Sequence, residues 1–140
     1  MTIDPIPSHA LATLSVEHDQ LRAMIARCEE LSDDHDGHGE GSVEAAQLLR
    51  AVAALRQAFD HHNRLEERVL PPLLLDADWS GAVRVSRMVE DHVEEHAALS
   101  RELDMTTLGE LRRVLASLRA HLDSEERYFL TRRVLRDDLA

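Results

Sequence analysis

Twice in this chain a histidine is followed four residues later by a glutamate, at positions where a helix would be expected to bury leucine. The first copy reads H-N-R-L-E-E-R-V-L (His62 to Leu70) and the second H-L-D-S-E-E-R-Y-F (His121 to Phe129). On an α-helix, a spacing of four puts both side chains on one face, about 6 Å apart and within reach of a single cation. A second echo, E-H-x-x-L, occurs at Glu17 to Leu21 and at Glu95 to Leu99, and His92 stands one turn before His96. The chain therefore reads as two similar helical hairpins that together offer five imidazoles and two carboxylates.

The rest of the sequence supports helices. Apolar residues make up 44% of the chain but aromatics only 3%, and Gly (5) and Pro (4) are few, a balance that disfavours strands. Apolar residues recur by threes and fours in four segments. Helix 1, expected over 8–32 with Ser8 as its cap, carries Leu11, Leu14, His18, Leu21, Ile25 and Cys28 on one stripe. Helix 2, expected over 42–70, carries Leu48, Val52, Leu55, Phe59, His62, Glu66 and Val69, and Pro71-Pro72 should stop it. A connection carrying Trp79 follows.

Helix 3, over 81–104, shows Val85, Val89, His92, His96, Leu99 and Leu103. Helix 4, over 107–135, shows Leu111, Val114, Leu118, His121, Glu125 and Tyr128. Four amphipathic helices of this length in 140 residues predict one all-α domain over 1–140, an antiparallel up-down-up-down four-helix bundle. Each helix places metal-capable residues where a core residue belongs.

Burying two carboxylates without partners would be strongly unfavourable, and no arginine lies on the inner stripes to offset their charge. A pair of bound dications supplies that offset. The donor set, nitrogen and oxygen without thiolate, suits Fe, Mn, Zn, Co or Ni, and two shared carboxylates favour dinuclear iron or manganese. If Glu66, Glu125 and a solvent oxygen bridge both ions, one side with three imidazoles is six-coordinate. The other side, with two, is five-coordinate and keeps a position for a small ligand.

In the order H, H-x-x-x-E, H-x-x-x-H, H-x-x-x-E, the chain from His18 to the end of helix 4 resembles the hemerythrin family, in particular the bacterial HHE cation-binding domains. The resemblance implies a bundle holding two non-haem iron ions with an oxo or hydroxo bridge, with manganese or zinc as lesser alternatives. By the same resemblance His18 and His62 bind the open iron, His92, His96 and His121 the saturated iron, and Glu66 and Glu125 bridge. Oxygen carriers of that family close the last motif with H-x-x-x-x-D. Here the residue at that spacing is Glu126, and the internal repeat aligns Glu125 with Glu66, so Glu125 is expected as the ligand and Glu126 as an outward residue.

That variant is similar to family members linked to nitric oxide, peroxide or iron handling. The expected function is small-ligand binding with redox turnover, either catalase-like peroxide disproportionation or nitric oxide reduction, with non-catalytic O2 or NO binding, sensing or iron holding as the alternative. Tyr128, one turn beyond Glu125, is a candidate proton donor or else a packing residue. Glu17, Glu90, Glu94 and Glu95 are expected on a solvated face, as is His61, which points about 100° away from His62. Cys28 is expected as a small core residue, His9 lies too near the N-terminus to join the site, and His35 and His38 fall in an acidic Gly-rich loop.

A net charge of −11 argues against nucleic acid and anionic membranes as partners. The N-terminus lacks a basic start and an apolar run, so a cytoplasmic monomer or weak homo-oligomer is expected.

Overall fold

The computed structural model describes residues 7–35, 42–77, 82–105, 107 and 109–128, apart from the side chains at 7, 8, 10, 34, 35, 70–77, 82–88, 105 and 128. Within these residues the chain forms four helices: α1 (Pro7–His35), α2 (Val43–Ala77), α3 (Ala82–Met105) and α4 (Leu111–Tyr128). The helices begin where local chemistry favours it. Proline opens α1, a position where its missing N–H has no intrahelical partner to lose. Ser42 caps α2: its Oγ accepts the Ala45 N–H at 3.1 Å and its carbonyl accepts the Ala46 N–H at 3.1 Å.

Three boundaries differ from those expected. α1 runs on past residue 32 to His35, which therefore ends the helix instead of falling in the loop. α2 does not stop at Pro71-Pro72 but continues to Ala77. Proline's fixed φ is itself helical, so the pair removes two N–H donors, those that would reach the Glu67 and Arg68 carbonyls, without forcing the chain out of the helix. α4 starts at Leu111 rather than Thr107, after a turn in which the Glu110 N–H bonds the Thr107 carbonyl at 3.0 Å. Gly109, the residue with most conformational freedom to lose in a helix, occupies that turn. Trp79, His38 and residues 129–135 of the expected fourth helix lie outside the described residues, as do the side chains of Val85 and His35.

Polar pairs between helices show that neighbours run antiparallel. Along α1 and α4, Arg22 meets Asp123 and Glu126, Arg119 meets Glu29, and Arg112 meets Asp33, so one number rises as the other falls. Between α2 and α3 the series is Arg56 with Asp104, Asp60 with Ser100, and Glu67 with His96. Between α3 and α4 it is Glu95 with His121 and His92 with Glu125. Each helix packs on its two neighbours in the cyclic order α1, α2, α3, α4, so the chain is an up-down-up-down bundle.

Surface pairs of this kind contribute little stability, at most about 1 kcal/mol each. Burial supplies most of it. Leu21, Ile25, Cys28, Leu31, Leu48, Leu55, Phe59, Leu99, Leu103, Leu111, Val114, Leu115, Leu118 and Leu122 form one contiguous cluster. A fully buried leucine contributes roughly 1.5–3 kcal/mol, and each helix gives the cluster at least two residues. The cluster occupies one end of the bundle and stops at Phe59, whose ring lies edge-on to His96 and His121 with centroids 6.1 and 6.0 Å away. Beyond Phe59 the interior turns polar.

Candidate metal centre

The polar end continues the stripes that build the apolar one. His18 precedes Leu21 on α1, His62 and Glu66 follow Phe59 on α2, His92 and His96 precede Leu99 on α3, and His121 and Glu125 follow Leu118 on α4. All seven are buried, with Glu66 and His18 fully enclosed and His92 the least covered at 9% exposure. They gather in two clusters. One comprises His92, His96, His121 and Glu125 and the other His18, His62, Glu66 and Glu125; within each, the ligand atoms lie within 4.8 Å of one another.

Both carboxylates face both clusters. Glu66 Oε2 is 2.7 Å from His62 Nε2 and 3.8 Å from His18 Nε2, while Oε1 is in contact with His92 Nε2 and 3.5 Å from His96 Nε2. Glu125 Oε1 is 2.6 Å from His121 Nε2 and 3.9 Å from His18 Nε2, and its Oε2 is 3.2 Å from His92 Nε2. Glu126 lies outside the clusters, its carboxylate held by Arg22. Glu125 therefore occupies the position shared by the two sets.

The distal nitrogens of three histidines are tied down by carboxylates that the sequence did not single out. His62 Nδ1 donates to Glu17 Oε1 at 2.7 Å, His96 Nδ1 to Glu67 Oε1 at 2.9 Å, and His121 Nδ1 to Glu95 Oε1 at 2.8 Å. Such bonds fix the tautomer, leave the Nε2 lone pair free and make it more basic. This corrects the expectation that Glu17 and Glu95 merely face solvent. Glu17 is only 18% exposed, and Glu95, although 54% exposed, reaches back to His121. Glu90 and Glu94 are exposed as expected.

The four carboxylates Glu17, Glu67, Glu95 and Glu126 each neighbour a site residue in sequence, and each faces a histidine of the next helix around the bundle. Glu126, facing His18 Nδ1 at 3.5 Å, completes the cycle without a hydrogen bond. That adjacency in the sequence, E-H at Glu17-His18 and Glu95-His96, E-E at Glu66-Glu67 and Glu125-Glu126, was the available signal. Register between helices decides it.

The inward atoms then face one another without enough protons. His18 and His62 present their Nε2 atoms to each other at 3.1 Å, and His62 Nε2 also confronts the Glu66 carboxylate. With Nδ1 protonated toward Glu17, the neutral His62 ring would aim a lone pair at an anion. His96 Nε2, His121 Nε2, Glu66 Oε2 and both Glu125 oxygens are buried and form no hydrogen bond. Isolated orphans of this kind would each cost about 1–3 kcal/mol, and here they converge on two small volumes. A cation in each volume would satisfy them together.

The electrostatics agree. Burial pushes the His121 imidazole down to about 4, with Glu95 opposing and the nearby His96 and His92 adding to the fall, so the ring is neutral and its lone pair available. Burial also pushes on His62, but Glu66 and Glu17 outweigh it and raise its affinity for a proton. Burial would raise Glu66, yet His18, His62, His92 and His96 together hold its carboxyl far below the ordinary range. The two carboxylates thus favour positive charge at His62, where a cation can supply it.

Residues set aside by the sequence reading stay apart. The His61 side chain is 79% exposed, and its Nε2 stands 3.8 Å from the far oxygen of Glu17. Cys28 is a buried core thiol pushed up to about 11 by burial, with Glu29 contributing. His9 is exposed on the first turns of α1. The side chain of Tyr128, the last residue of α4, lies outside the described residues.

The sequence profile of the Hemerythrin HHE cation binding domain matches residues 9–132. The chain belongs to this family. Two His/Glu clusters sharing a carboxylate are the cation-binding feature of this HHE domain, and the matched span includes all of its candidate ligands. No curated protein and no solved structure matches the chain significantly. No helix among the described residues is long and apolar enough to cross a membrane.

Proposed function

We propose that this HHE domain holds two iron ions and turns over a small oxygen or nitrogen species, disproportionating peroxide or reducing nitric oxide. The observation that carries the reading is the inequality of the clusters: three imidazoles serve one, two serve the other, and both carboxylates lie between them. Two iron ions that share oxygen donors supply two electrons, which peroxide reduction and the coupling of two NO molecules both require. The cluster with fewer donors keeps room for the substrate.

A cavity of about 130 Å³ between α1 and α2, lined in part by Glu17, Leu21, Met24 and His62, adjoins that cluster. It is large enough for a diatomic molecule or peroxide and smaller than the roughly 300 Å³ at which pockets for drug-sized ligands begin. Glu17 stands at its wall with one oxygen on His62 Nδ1 and the other toward exposed His61, a polar route along which a proton can reach the buried imidazole. Phe59 and the apolar cluster, which also supplies Leu21 to the cavity wall, exclude water from the end of the centre that they face. Five neutral imidazoles stabilise ferric iron less than a carboxylate-rich site does, which favours mild turnover or reversible binding over high-valent oxygenation.

By its spacing from Glu125, Tyr128 is the candidate proton donor, with simple packing as the alternative in which Tyr128→Phe costs little. Tyr128→Phe is expected to keep the metal content and lower turnover by roughly tenfold to several hundredfold. The decisive experiment loads the protein anaerobically with Fe(II) and adds O2, peroxide or NO. Catalytic consumption of peroxide or NO supports turnover, a stable stoichiometric adduct with O2 makes the protein a binding protein, and fewer than two irons per chain overturns the reading.

A further inference from the structure

Three of the four carboxylates in the cycle around the centre do the same thing, and the fourth does not. Glu17, Glu67 and Glu95 each accept a hydrogen bond from a histidine Nδ1 at 2.7 to 2.9 Å. Glu126 stands 3.5 Å from His18 Nδ1, and that nitrogen is buried with no hydrogen-bond partner. The cause is on the same helix as His18. Arg22, one turn further along α1, donates from Nη1 to Glu126 Oε1 at 2.7 Å and from Nη2 to Oε2, and Nη2 also reaches Asp123 at 2.6 Å. A guanidinium fork fitted to both oxygens of a carboxylate is a stronger partner than a neutral imidazole N–H.

We propose that Arg22 is a positioning residue that weakens one half of the metal centre: by holding Glu126 it withholds from His18 the carboxylate that His62, His96 and His121 each have. Without that bond the His18 tautomer is not fixed and its Nε2 is a poorer donor. His18 belongs to the cluster with only two imidazoles, so the effect falls on the half that already has fewer donors. The two ions therefore bind with unequal affinity, and the one at His18 leaves first. The inference rests on the dinuclear reading above, but not on the identity of the metal or on turnover.

Anaerobic titration of the metal-free protein with Co(II), followed by its visible absorption, tests it. The wild type should take up two ions in separable steps. Arg22→Met frees Glu126 for His18 and should tighten the weaker step by about tenfold, leaving the tighter step within about twofold. Arg22→Lys, whose single nitrogen cannot hold both oxygens, should fall between and carries the test if the methionine variant does not fold. The double variant Arg22→Met, Glu126→Gln has the wild-type net charge and no carboxylate to deliver, and should return the weaker step to its wild-type value or below. An unmoved weaker step, an equal shift of both steps, or a gain that survives in the double variant would overturn the role of Arg22. Fewer than two Co(II) per wild-type chain would overturn the dinuclear reading and this proposal with it.

Discussion

The two ends of the bundle are built on the same four stripes and held together by opposite means. At one end leucines from all four helices interlock, and nothing there depends on a ligand or on protonation. At the other, seven polar side chains take the same inward positions and leave buried nitrogen and oxygen atoms without hydrogen bonds. Helix propensity and amphipathic pattern are alike at both ends, so the difference lies in packing energetics alone. The apolar end contributes stability without a cation, whereas the polar end keeps an arrangement that a cation would stabilise.

Metal removal should show this contrast most strongly. Each ion bound at a thousandfold excess over its Kd adds about 4 kcal/mol. Chelation should therefore lower the Tm, and amide exchange should accelerate around His62–Glu66, His92–His96 and His121–Glu125 while Leu48–Leu55 and Leu111–Leu118 stay protected. Uniform acceleration along all four helices would mean that the two ends are not separable.

Single substitutions should divide the same way. Glu66→Ala removes a carboxylate shared by both clusters and should cost about 3–5 kcal/mol in the loaded protein, with loss of at least one ion by elemental analysis. Leu115→Ala at the apolar end should cost about 2–5 kcal/mol, equally with and without metal. A metal-dependent cost for Leu115→Ala would couple the ends.

Acidification should act mainly on the polar end. His121 is held at about 4, below its ordinary 6.5, so its contribution to stability is present above pH 6.5 and is lost as the pH falls toward 4. Glu66, held below the ordinary 4.5, acts in the same direction further down. His62, raised above 6.5, acts in reverse and loses its contribution as the pH rises through its folded value. The Tm of the metal-free protein should fall between pH 6.5 and 4, and His121→Asn should flatten that slope. A slope unchanged in His121→Asn would place the acid sensitivity elsewhere.

Smaller effects should rank the outer carboxylates. Glu67→Gln, on a largely buried contact, should weaken metal binding by roughly 10- to 100-fold, and Glu95→Gln by less because Glu95 is 54% exposed. Glu126→Ala should leave two ions bound, since that carboxylate already belongs to Arg22. Loss of metal on Glu126→Ala, with Glu125→Ala tolerated, would exchange the roles of the two glutamates.

Much of this was legible in the amino-acid order because burial and helical period are local. His18, His62, Glu66, His92, His96, His121 and Glu125 stand out as polar residues at leucine positions, and each is buried on the helix expected for it. Glu17, Glu67 and Glu95 were not legible, because nothing within one helix says which side chain of the next lies opposite. The passage of α2 through Pro71-Pro72 escaped notice for a related reason. Proline weakens a helix locally, but whether the helix ends there depends on the residues that follow.

The cycle of outer carboxylates has a handedness. Successive residues on a helix point about 100° apart, clockwise or anticlockwise according to the direction from which the helix is viewed. On α1 and α3 the outer carboxylate precedes the inward histidine, as Glu17 precedes His18 and Glu95 precedes His96; on α2 and α4 it follows the inward glutamate, as Glu67 follows Glu66 and Glu126 follows Glu125. Since α1 and α3 run against α2 and α4, a step back on one pair and a step forward on the other turn the same way in space. All four arms of this pinwheel therefore sweep in one rotational sense, three of them bracing a histidine of the next helix, and moving Glu17, Glu67 or Glu95 to the other side of its neighbour would leave that histidine unsupported.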